Sequence, residues 1–332
     1  MKILFVFTGG TIGSTLKKGN VISTDPKKSY KIIRAYSEKY DVDFDYDITE
    51  PYTELSENNT GEHIRMLAQC VKNNLDAGYD GIIVTHGTDT LQYSAAALGY
   101  MVGTESVPIC LVSANRPIEH EKSNALANLH GAISFIKNGE GRGVFVPYQN
   151  DNSDTVRVHR GTRLIGTKAF SDDVSSILGS VYGCFDEDFK FVKNGNYREN
   201  ADEMPLADIS VLNERSEGIL VLFPYPGMVY PKLDESVRYI LLNTYHSGTL
   251  DTCSTRAREF FREASERGIE VFATGITGGP EYESVGAFGE LGIIPIKNIS
   301  PVAAYVKLWI LSENGKEAAE MLGLSLGGDI AP

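Results

Sequence analysis

The chain has 332 residues, with 31 lysines and arginines against 44 aspartates and glutamates, so its formal net charge is −13. A chain of this length can bury roughly three quarters of its unfolded surface and typically forms about two domains, so no disulfide or metal is needed to hold it together. The acidic charge argues against a nucleic-acid partner, because no basic stripe is present to neutralise phosphates. No apolar run approaches the roughly 20 residues that cross a bilayer, so we expect no membrane partner.

The N-terminus and the cysteines both indicate a reducing compartment. The first apolar stretch covers only residues 3–7, whereas a secretion signal needs about 7–15 apolar residues and a small-residue cleavage site. The cysteines are far apart and form no CxxC pair, as is typical of free thiols; they are Cys70, Cys110, Cys184 and Cys253. We therefore predict a cytoplasmic location.

Short apolar runs alternate with helical patterns along the chain. Most of the runs are continuous, which is typical of strands covered on both faces; they lie at 3–7, 81–85, 107–113, 143–147, 218–223, 239–242 and 269–273. Other segments predict helices, at 62–77, 89–102, 255–267 and 301–311. Strands that alternate with helices predict crossover connections and a largely parallel sheet.

A polar segment at 186–217 interrupts this alternation. It carries an Asn-Gly pair at 194–195 and acidic residues throughout, which is typical of a connection and compatible with a hairpin. We predict an α/β protein of two domains, each a largely parallel sheet flanked by helices. The larger N-terminal domain would span residues 1–185, and a smaller, flavodoxin-like C-terminal domain would span residues 218–332.

The segment Thr-Gly-Gly-Thr-Ile-Gly-Ser at 8–14 follows the first predicted strand, and ligands of open α/β sheets bind beyond the carboxyl ends of strands. Its glycines do not match the GxGxxG dinucleotide fingerprint, and the chain has no GK[ST] phosphate loop. Glycines let backbone N–H groups approach a developing oxyanion, and Thr11 could offer a nucleophile. A tight turn with a structural threonine is the alternative.

The segment Thr-His-Gly-Thr-Asp-Thr-Leu at 85–91 lies between a predicted strand and a predicted helix. Thr88 or Asp89 could cap that helix, but a cap needs only one such residue, and a helix N-terminus can also hold a carboxylate. His86 would be the conventional base, yet a histidine at a strand end is more often packed inside. The six histidines lack metal-ligand spacing, and no GxSxG elbow occurs. A neutral, desolvated lysine is the alternative base, and spacing alone selects none.

Together, these two segments resemble the pair of signatures of the L-asparaginase family, and the chain is similar to its cytoplasmic, type I branch. Weaker similarity covers nearly the whole chain, including Ser-Ala-Asn-Arg-Pro at 113–117. The resemblance implies an amidohydrolase that converts L-asparagine to L-aspartate and ammonia through a threonine acyl-enzyme. It also implies that no metal or organic cofactor is needed, and that the protein is a homodimer or homotetramer.

The resemblance also implies roles for individual residues. Thr11 matches the family's first threonine, the expected nucleophile, while Thr88 and Asp89 match the second threonine and its neighbour. Lys168, in Gly-Thr-Lys-Ala-Phe at 166–170, matches the catalytic lysine because it follows the Arg-Gly-Thr-Arg segment at 160–163. It would be the neutral base of a Thr88–Lys168–Asp89 triad. Which threonine attacks first stays open.

Substrate contacts follow from the same resemblance. Ser56 would hold the substrate α-carboxylate together with the Thr88 region, and Glu57 and Asp89 would hold the α-ammonium. The carbonyl of Ala114 would accept a hydrogen bond from the departing amide nitrogen. The alternative for residues 56–58 is a cap on the helix predicted from residue 62.

The chain departs from the family pattern in two places: the first bears on loop closure and turnover, and the second leaves the preference between asparagine and glutamine open. No tyrosine occurs around residues 19–22, where many members carry one in a loop that closes over the substrate; Tyr30 comes later. Thr249 stands where an asparagine is common. We expect residues 13–30 to form that closing loop.

Two rival functions remain. One is the amidase subunit of a tRNA-dependent amidotransferase, which has the same motifs but carries extra N-terminal sequence. The other is a non-catalytic sensor of an amino acid or nucleotide.

Overall fold

The computed structural model describes all residues except 11–13, 18–20, 25–29, 43, 201, 203–207 and 280–281, and for 14–17 and 21–24 it describes the backbone alone. Within these described residues, the strands form an eight-stranded sheet, a four-stranded sheet and a two-stranded hairpin. The helices in the same part of the chain are too short or too polar to cross a membrane.

The first 193 residues build the larger sheet, the hairpin and the helices around them. In chain order, the elements are β1 (Lys2–Phe7), β2 (Ser14–Lys17), β3 (Val21–Thr24), α1 (Lys31–Tyr40), β4 (Asp45–Thr49), α2 (Gly61–Lys72), β5 (Gly81–Thr85), α3 (Leu91–Val102), β6 (Ile109–Val112), α4 (Ala125–Lys137), β7 (Val144–Gln149), β8 (Val156–Arg160), β9 (Gly183–Phe185) and β10 (Phe191–Lys193).

The rest of the chain builds the smaller sheet. Its elements are β11 (Ile219–Leu222), β12 (Tyr239–Asn243), α5 (Thr255–Glu266), β13 (Glu270–Ile276), α6 (Glu283–Gly286), β14 (Ile293–Lys297), α7 (Pro301–Glu313) and α8 (Ala318–Met321).

The larger sheet has the strand order β10-β9-β8-β7-β6-β5-β1-β4. Strands β4, β1, β5, β6 and β7 pair in parallel, and β7 to β10 pair antiparallel. The central strand β1 lies in register with β4 on one side and β5 on the other, so that Phe5 faces both Ile48 and Ile83. The carboxyl ends of β4, β1, β5 and β6 therefore meet at one edge.

Both faces of the larger sheet are covered, which explains the continuous apolar sequence of β1. Leu4 and Val6 pack on one face against residues of α2, α3 and α7. Ile3, Phe5 and Phe7 point to the other face and pack against α1 and α4. Alternate residues of a strand point to opposite faces, so a strand buried on both sides needs no polar alternation.

The smaller sheet is parallel throughout, with the strand order β11-β12-β13-β14. It is helix-flanked as predicted, although flavodoxin differs in having a reversal in its strand order. Ile240 and Leu242 pack against α5, whereas Leu241 belongs to the core that includes Trp309 of α7. Helix α7 also contacts α3, so it lies between the two sheets.

Helix α5 shows how local sequence determines where a helix begins and which of its faces is buried. Ser254 caps it, with its Oγ accepting a hydrogen bond from the Ala257 N–H at 3.2 Å. Ala257, Phe260, Phe261 and Ala264 are buried. Their spacing of three, one and three residues places them on one face, which packs on the sheet.

Each predicted strand and helix is present, with shifts of a few residues at the ends. The fold class is confirmed. Helices α1 and α4 and strands β4, β8, β9, β10 and β14 were not predicted. The hairpin suggested within residues 186–217 is found in part: β10 lies there, but its antiparallel partner β9 precedes the segment. The larger sheet thus extends to Lys193. The division into domains at 185 and 218 stays a prediction.

The C-terminal segment folds back on the N-terminal half. The Thr162 hydroxyl donates to the Gly327 carbonyl, and Arg163 Nε donates to the Gly328 carbonyl, both at 2.7 Å. Asp329 is fully buried and forms an ion pair with Lys307 at 3.0 Å, while its carboxylate also accepts from the Tyr100 hydroxyl at 3.1 Å. Burial and the Asp329 carboxylate raise the pKa of Tyr100.

We expect Asp329→Ala to lower the free energy of unfolding by about 3–5 kcal/mol, because it leaves the ammonium of Lys307 buried without its counter-ion. Urea denaturation followed by circular dichroism measures the change. The matched control is Glu38→Ala, which breaks the exposed ion pair between Arg34 and Glu38 and should hardly move the midpoint. Equal midpoints for the two variants would contradict the prediction.

Candidate functional site

Three segments meet at the carboxyl ends of β1, β4 and β5. The Glu54 N–H donates to the Thr8 carbonyl at 3.1 Å, and the Gly10 N–H donates to the Glu54 carbonyl at 3.2 Å. Gly9 and Gly10 have φ angles of 98° and 78°, in the left-handed region that favours glycine. The glycines of the first motif thus turn the chain sharply after β1 and tie it to the segment after β4.

The glycines of both motifs also permit very close approach. A Cβ atom on Gly10 would lie 2.4 Å from the backbone nitrogen of Gly87, and one on Gly87 would lie 2.4 Å from Ser56 Oγ. Real Cβ atoms essentially never come so near. The first motif, the second motif and the Ser56 segment are therefore in contact only because glycine occupies these positions.

Ser56 and Asp89 form a hydrogen-bonded pair. Ser56 is 3% exposed, and its Oγ accepts from the Asp89 N–H at 3.2 Å and donates to Asp89 Oδ2 at 3.3 Å. Behind this pair, the Thr90 hydroxyl donates to the Ser56 carbonyl at 2.8 Å. These contacts leave the exposed Asp89 carboxylate facing solvent beside a buried hydroxyl.

The capping alternatives for these residues are wrong. Helix α2 is capped by Thr60, whose N–H donates to His63 Nδ1 at 3.1 Å, so Ser56 is not its cap. Helix α3 has Thr90 at its N-cap position without a side-chain capping bond. Thr88 is half-buried. Thr88 and Asp89 both precede the helix, and neither caps it.

His86 is fully buried, as the sequence hypothesis of a packed histidine expected. Its Nδ1 lies 2.8 Å from the Gly87 carbonyl, and its Nε2 lies 2.9 Å from Ser94 Oγ. Burial lowers the pKa of His86, so the ring is neutral. A ring enclosed in this way does not reach a substrate.

Lys168 is exposed. The preceding residue, Thr167, lines the same cleft as Asp89. Further along this segment, partial burial and the carboxylates of Asp151, Asp173 and Asp89 raise the pKa of Asp172. The Lys168 segment therefore runs beside the second motif, but the lysine lacks the desolvation that a neutral base requires. Its role as the base stays a prediction.

The other predicted site residues differ in burial and in whether the structure describes them. Thr11 and half of the predicted closing loop lie outside the described residues; the described part of the loop includes the backbone pairing of β2 with β3. Glu57 is exposed next to Ser56, and Ala114 is buried just beyond the end of β6. The ring of Tyr30 is half exposed and packs edge-on against Phe7, with centroids 5.9 Å apart.

A cleft of about 1290 Å³ opens beside Asp89 and Thr90 and is lined by both halves of the chain. Residues at the carboxyl ends of the smaller sheet form one wall, among them Asn243, Thr244 and Asn298. Carboxyl ends of parallel strands are where open α/β sheets bind ligands. The volume exceeds the roughly 300–1000 Å³ typical of small-molecule sites, so this cleft accommodates more than one amino acid.

Two residues that the sequence did not indicate, Asn59 and Ser94, contact the second motif on its buried side. Asn59 Nδ2 donates to Thr90 Oγ1 at 3.2 Å and lies 3.4 Å from His86 Nε2; Ser94 contacts the same ring nitrogen. Ser94 is four residues after Thr90, on the same face of the helix start, a spacing that could have indicated it. No local pattern indicates Asn59.

Comparison with known families defines the class of protein. The model of the family described as "Asparaginase, N-terminal" matches residues 2–180, more than half of the chain. The chain therefore belongs to the asparaginase family and is an asparaginase-family amidohydrolase.

Individual relatives point to two activities. A glutamyl-tRNA(Gln) amidotransferase subunit from Methanosarcina mazei is 30% identical over 343 residues, which cover 99% of this chain and 79% of the relative. The thermostable L-asparaginase from Thermococcus kodakarensis superposes with a TM-score of 0.79 at 21% identity over the whole of both chains. L-asparaginase I from Vibrio cholerae gives 0.76 at 22% identity, covering 99% of this chain and 98% of that one. At these identities, the two structures show a shared fold.

Proposed function

We propose that the protein hydrolyses L-asparagine to L-aspartate and ammonia through a threonine acyl-enzyme. The observation that carries this proposal is the contact between Ser56 and Asp89 at the glycine-rich junction of the two motifs. A buried hydroxyl beside an exposed carboxylate, next to a helix N-terminus, complements the α-carboxylate and the α-ammonium of an amino acid. Glu57, exposed beside Ser56, would add a second carboxylate for the ammonium.

The proposed chemistry has two steps. A threonine oxygen, from Thr11 or Thr88, bonds to the side-chain amide carbon, and its proton passes through Lys168 to the nitrogen, which leaves as ammonia. Water then adds to the ester carbon and releases aspartate, returning the hydroxyl. Backbone N–H groups around Thr11 and Thr88 would stabilise the oxyanion in both steps, and the Ala114 carbonyl would accept from the departing nitrogen.

The decisive experiment measures ammonia release from L-asparagine, L-glutamine and D-asparagine by the purified protein. We expect release from L-asparagine, and near-background rates for Thr11→Ala, which excludes a contaminating enzyme. An inert protein whose melting temperature rises with asparagine would instead establish the sensor function.

Substitution at Gly87 tests the close packing of this junction. We expect Gly87→Ala to raise KM for L-asparagine by about 10-fold or more. The new Cβ must displace Ser56 from Asp89, and the substrate that this pair holds would then be misplaced. The control is Gly195→Ala, where an added Cβ meets no atom within 4 Å. Steady-state kinetics on both variants test this expectation. Unchanged kinetics in a folded Gly87→Ala protein would refute the proposal that Ser56 and Asp89 position the substrate.

The second candidate function is the amidase subunit of a tRNA-dependent amidotransferase. It is supported by the 30% identity to the amidotransferase subunit of Methanosarcina mazei, while the net charge of −13 disfavours a tRNA surface. Gel-shift titration with tRNA at low salt separates the two candidates. Ammonia release without tRNA, and no shift, would favour the free hydrolase.

We also propose a cytoplasmic homodimer or homotetramer. The cysteines within the described residues are free. Large apolar side chains on the smaller-sheet half are exposed, including Phe223 and Val229, and association would cover them. Light scattering coupled to size exclusion measures the assembly.

A further inference from the structure

We propose that His86 is a positioning residue: with its proton on Nδ1, it anchors the Gly87 carbonyl and thereby aims the Thr88 N–H into the site as an oxyanion donor. The inference rests on the proposed function and deepens it by assigning the residue that sets one half of the oxyanion site. It assigns His86 no contact with substrate.

The hydrogen-bond partners of His86 determine its tautomer. The Gly87 carbonyl, 2.8 Å from Nδ1, can only accept a hydrogen bond, so Nδ1 carries the proton. In the neutral ring, Nε2 is then an acceptor. It is faced by two groups that can donate, the Ser94 hydroxyl at 2.9 Å and the Asn59 amide at 3.4 Å.

A second chain of bonds fixes the orientation of Asn59. The Thr90 hydroxyl has one proton, and this proton is donated to the Ser56 carbonyl at 2.8 Å. Thr90 Oγ1 must therefore accept from Asn59 Nδ2, at 3.2 Å. The same amide group faces His86 Nε2, so each of these contacts pairs a donor with an acceptor, while the buried Asn59 Oδ1 has no partner among the described residues.

The geometry of the peptide bond between Gly87 and Thr88 determines where the Thr88 N–H points. The chain has no cis peptide bond among its described residues, and in a trans peptide the C=O and the following N–H point in opposite directions. The Gly87 carbonyl is held toward the buried ring of His86, so the Thr88 N–H points away from it, to the substrate side. Within the described part of the chain, this N–H makes no hydrogen bond, whereas the next one, of Asp89, is bound to Ser56.

The position of the ring is itself rigid. His86 directly follows β5, its backbone N–H donates to the Val112 carbonyl at 2.9 Å, and its side chain is fully enclosed. A donor group that is already oriented costs no reorganisation when the oxyanion forms. This explains why a histidine, with one donor and one acceptor, lies behind the turn that carries Thr88.

A pair of substitutions tests the role of each ring nitrogen. His86→Asn retains an N–H donor near the Nδ1 position, and His86→Gln retains a polar group near the Nε2 position. We expect His86→Gln to lower kcat for L-asparagine by about 10²-fold with KM changed less than about 3-fold, because oxyanion donors act in the transition state. We expect His86→Asn to stay within about 10-fold of the wild type.

The companion variant is Asn59→Ala, for which we expect a smaller loss of kcat, about 10-fold. Its matched control is Asn74→Ala. Asn74 donates its amide to the Cys70 carbonyl just past the other end of α2, a helix roughly 18 Å long, and its loss should leave kcat unchanged.

A second measurement keeps the inference testable if the variants fold poorly. The ¹⁵N NMR shifts of His86 in the wild-type protein distinguish a proton on Nδ1 from one on Nε2, and we expect Nδ1. A proton on Nε2 would overturn the inference alone, as would equal kcat for folded His86→Asn and His86→Gln proteins. A wild-type protein that releases no ammonia from any amide would overturn the proposed function and this inference together.

Discussion

Thr88→Ala should lower kcat for ammonia release from L-asparagine by at least about 10³-fold, equivalent to about 4 kcal/mol of transition-state stabilisation. Thr88 lies on the turn between β5 and α3, beside the pair formed by Ser56 and Asp89. Its side chain is half-buried, and its hydroxyl makes no hydrogen bond within the described part of the chain. In the proposed mechanism this hydroxyl belongs to the catalytic unit, and losing one member of such a unit removes most of its effect.

The melting temperature of Thr88→Ala and the activity of Thr88→Ser distinguish a loss of catalysis from a loss of folding. Thr88→Ala should leave the melting temperature almost unchanged, since the hydroxyl makes no hydrogen bond within the described structure. Thr88→Ser keeps the hydroxyl and should retain a large part of kcat. Steady-state kinetics and calorimetry measure these quantities; a Thr88→Ala protein within about 10-fold of the wild type would remove Thr88 from the proposed mechanism.

Lys168→Met should reduce ammonia release to near background, because methionine keeps the length and the apolar stem of the side chain but cannot carry a proton. Lys168 is exposed in the structure, so the proposal requires closure of residues 13–30, or a neighbouring protomer, to desolvate the amine. Lys137→Met, at the exposed end of α4, is the matched control and should keep full activity.

Added amines extend the test of Lys168. Lys168→Ala removes the side chain beyond Cβ and leaves room for an added amine. If the lysine amine is the base, methylamine should restore part of kcat to Lys168→Ala and have no effect on the wild type. Activity in Lys168→Met close to that of the wild type would show that another group accepts the proton, and the triad with Thr88 and Asp89 would then be abandoned.

The strands that are covered on both faces were predictable because their signal is local. In β5, the five residues Gly81–Thr85 are all buried, and the sequence predicts this strand with the same bounds. In β4, all five residues are exposed or half-buried, and its sequence, Asp-Tyr-Asp-Ile-Thr, lacks a continuous apolar run. Such a strand forms because β1 offers an unpaired edge, which only the assembled sheet provides.

The candidate site was likewise predictable only in part. The glycine-rich motifs were visible in the sequence, because glycine at a strand end signals a turn or a close approach. The contact between Ser56 and Asp89, 33 residues apart, depends on the parallel register of β4, β1 and β5. The capping alternatives therefore stayed open until the three segments were seen together.

By itself, the sequence determined the fold class, the order of the principal strands and helices, and the two motifs, since periodicity and glycine spacing are properties of short segments. Only the tertiary structure decided that Thr60, not Ser56, caps α2, that His86 is enclosed by Asn59 and Ser94, and that Lys168 is exposed. These outcomes depend on which side chains from distant segments come within about 3 Å of one another, and sheet register and domain packing set those distances.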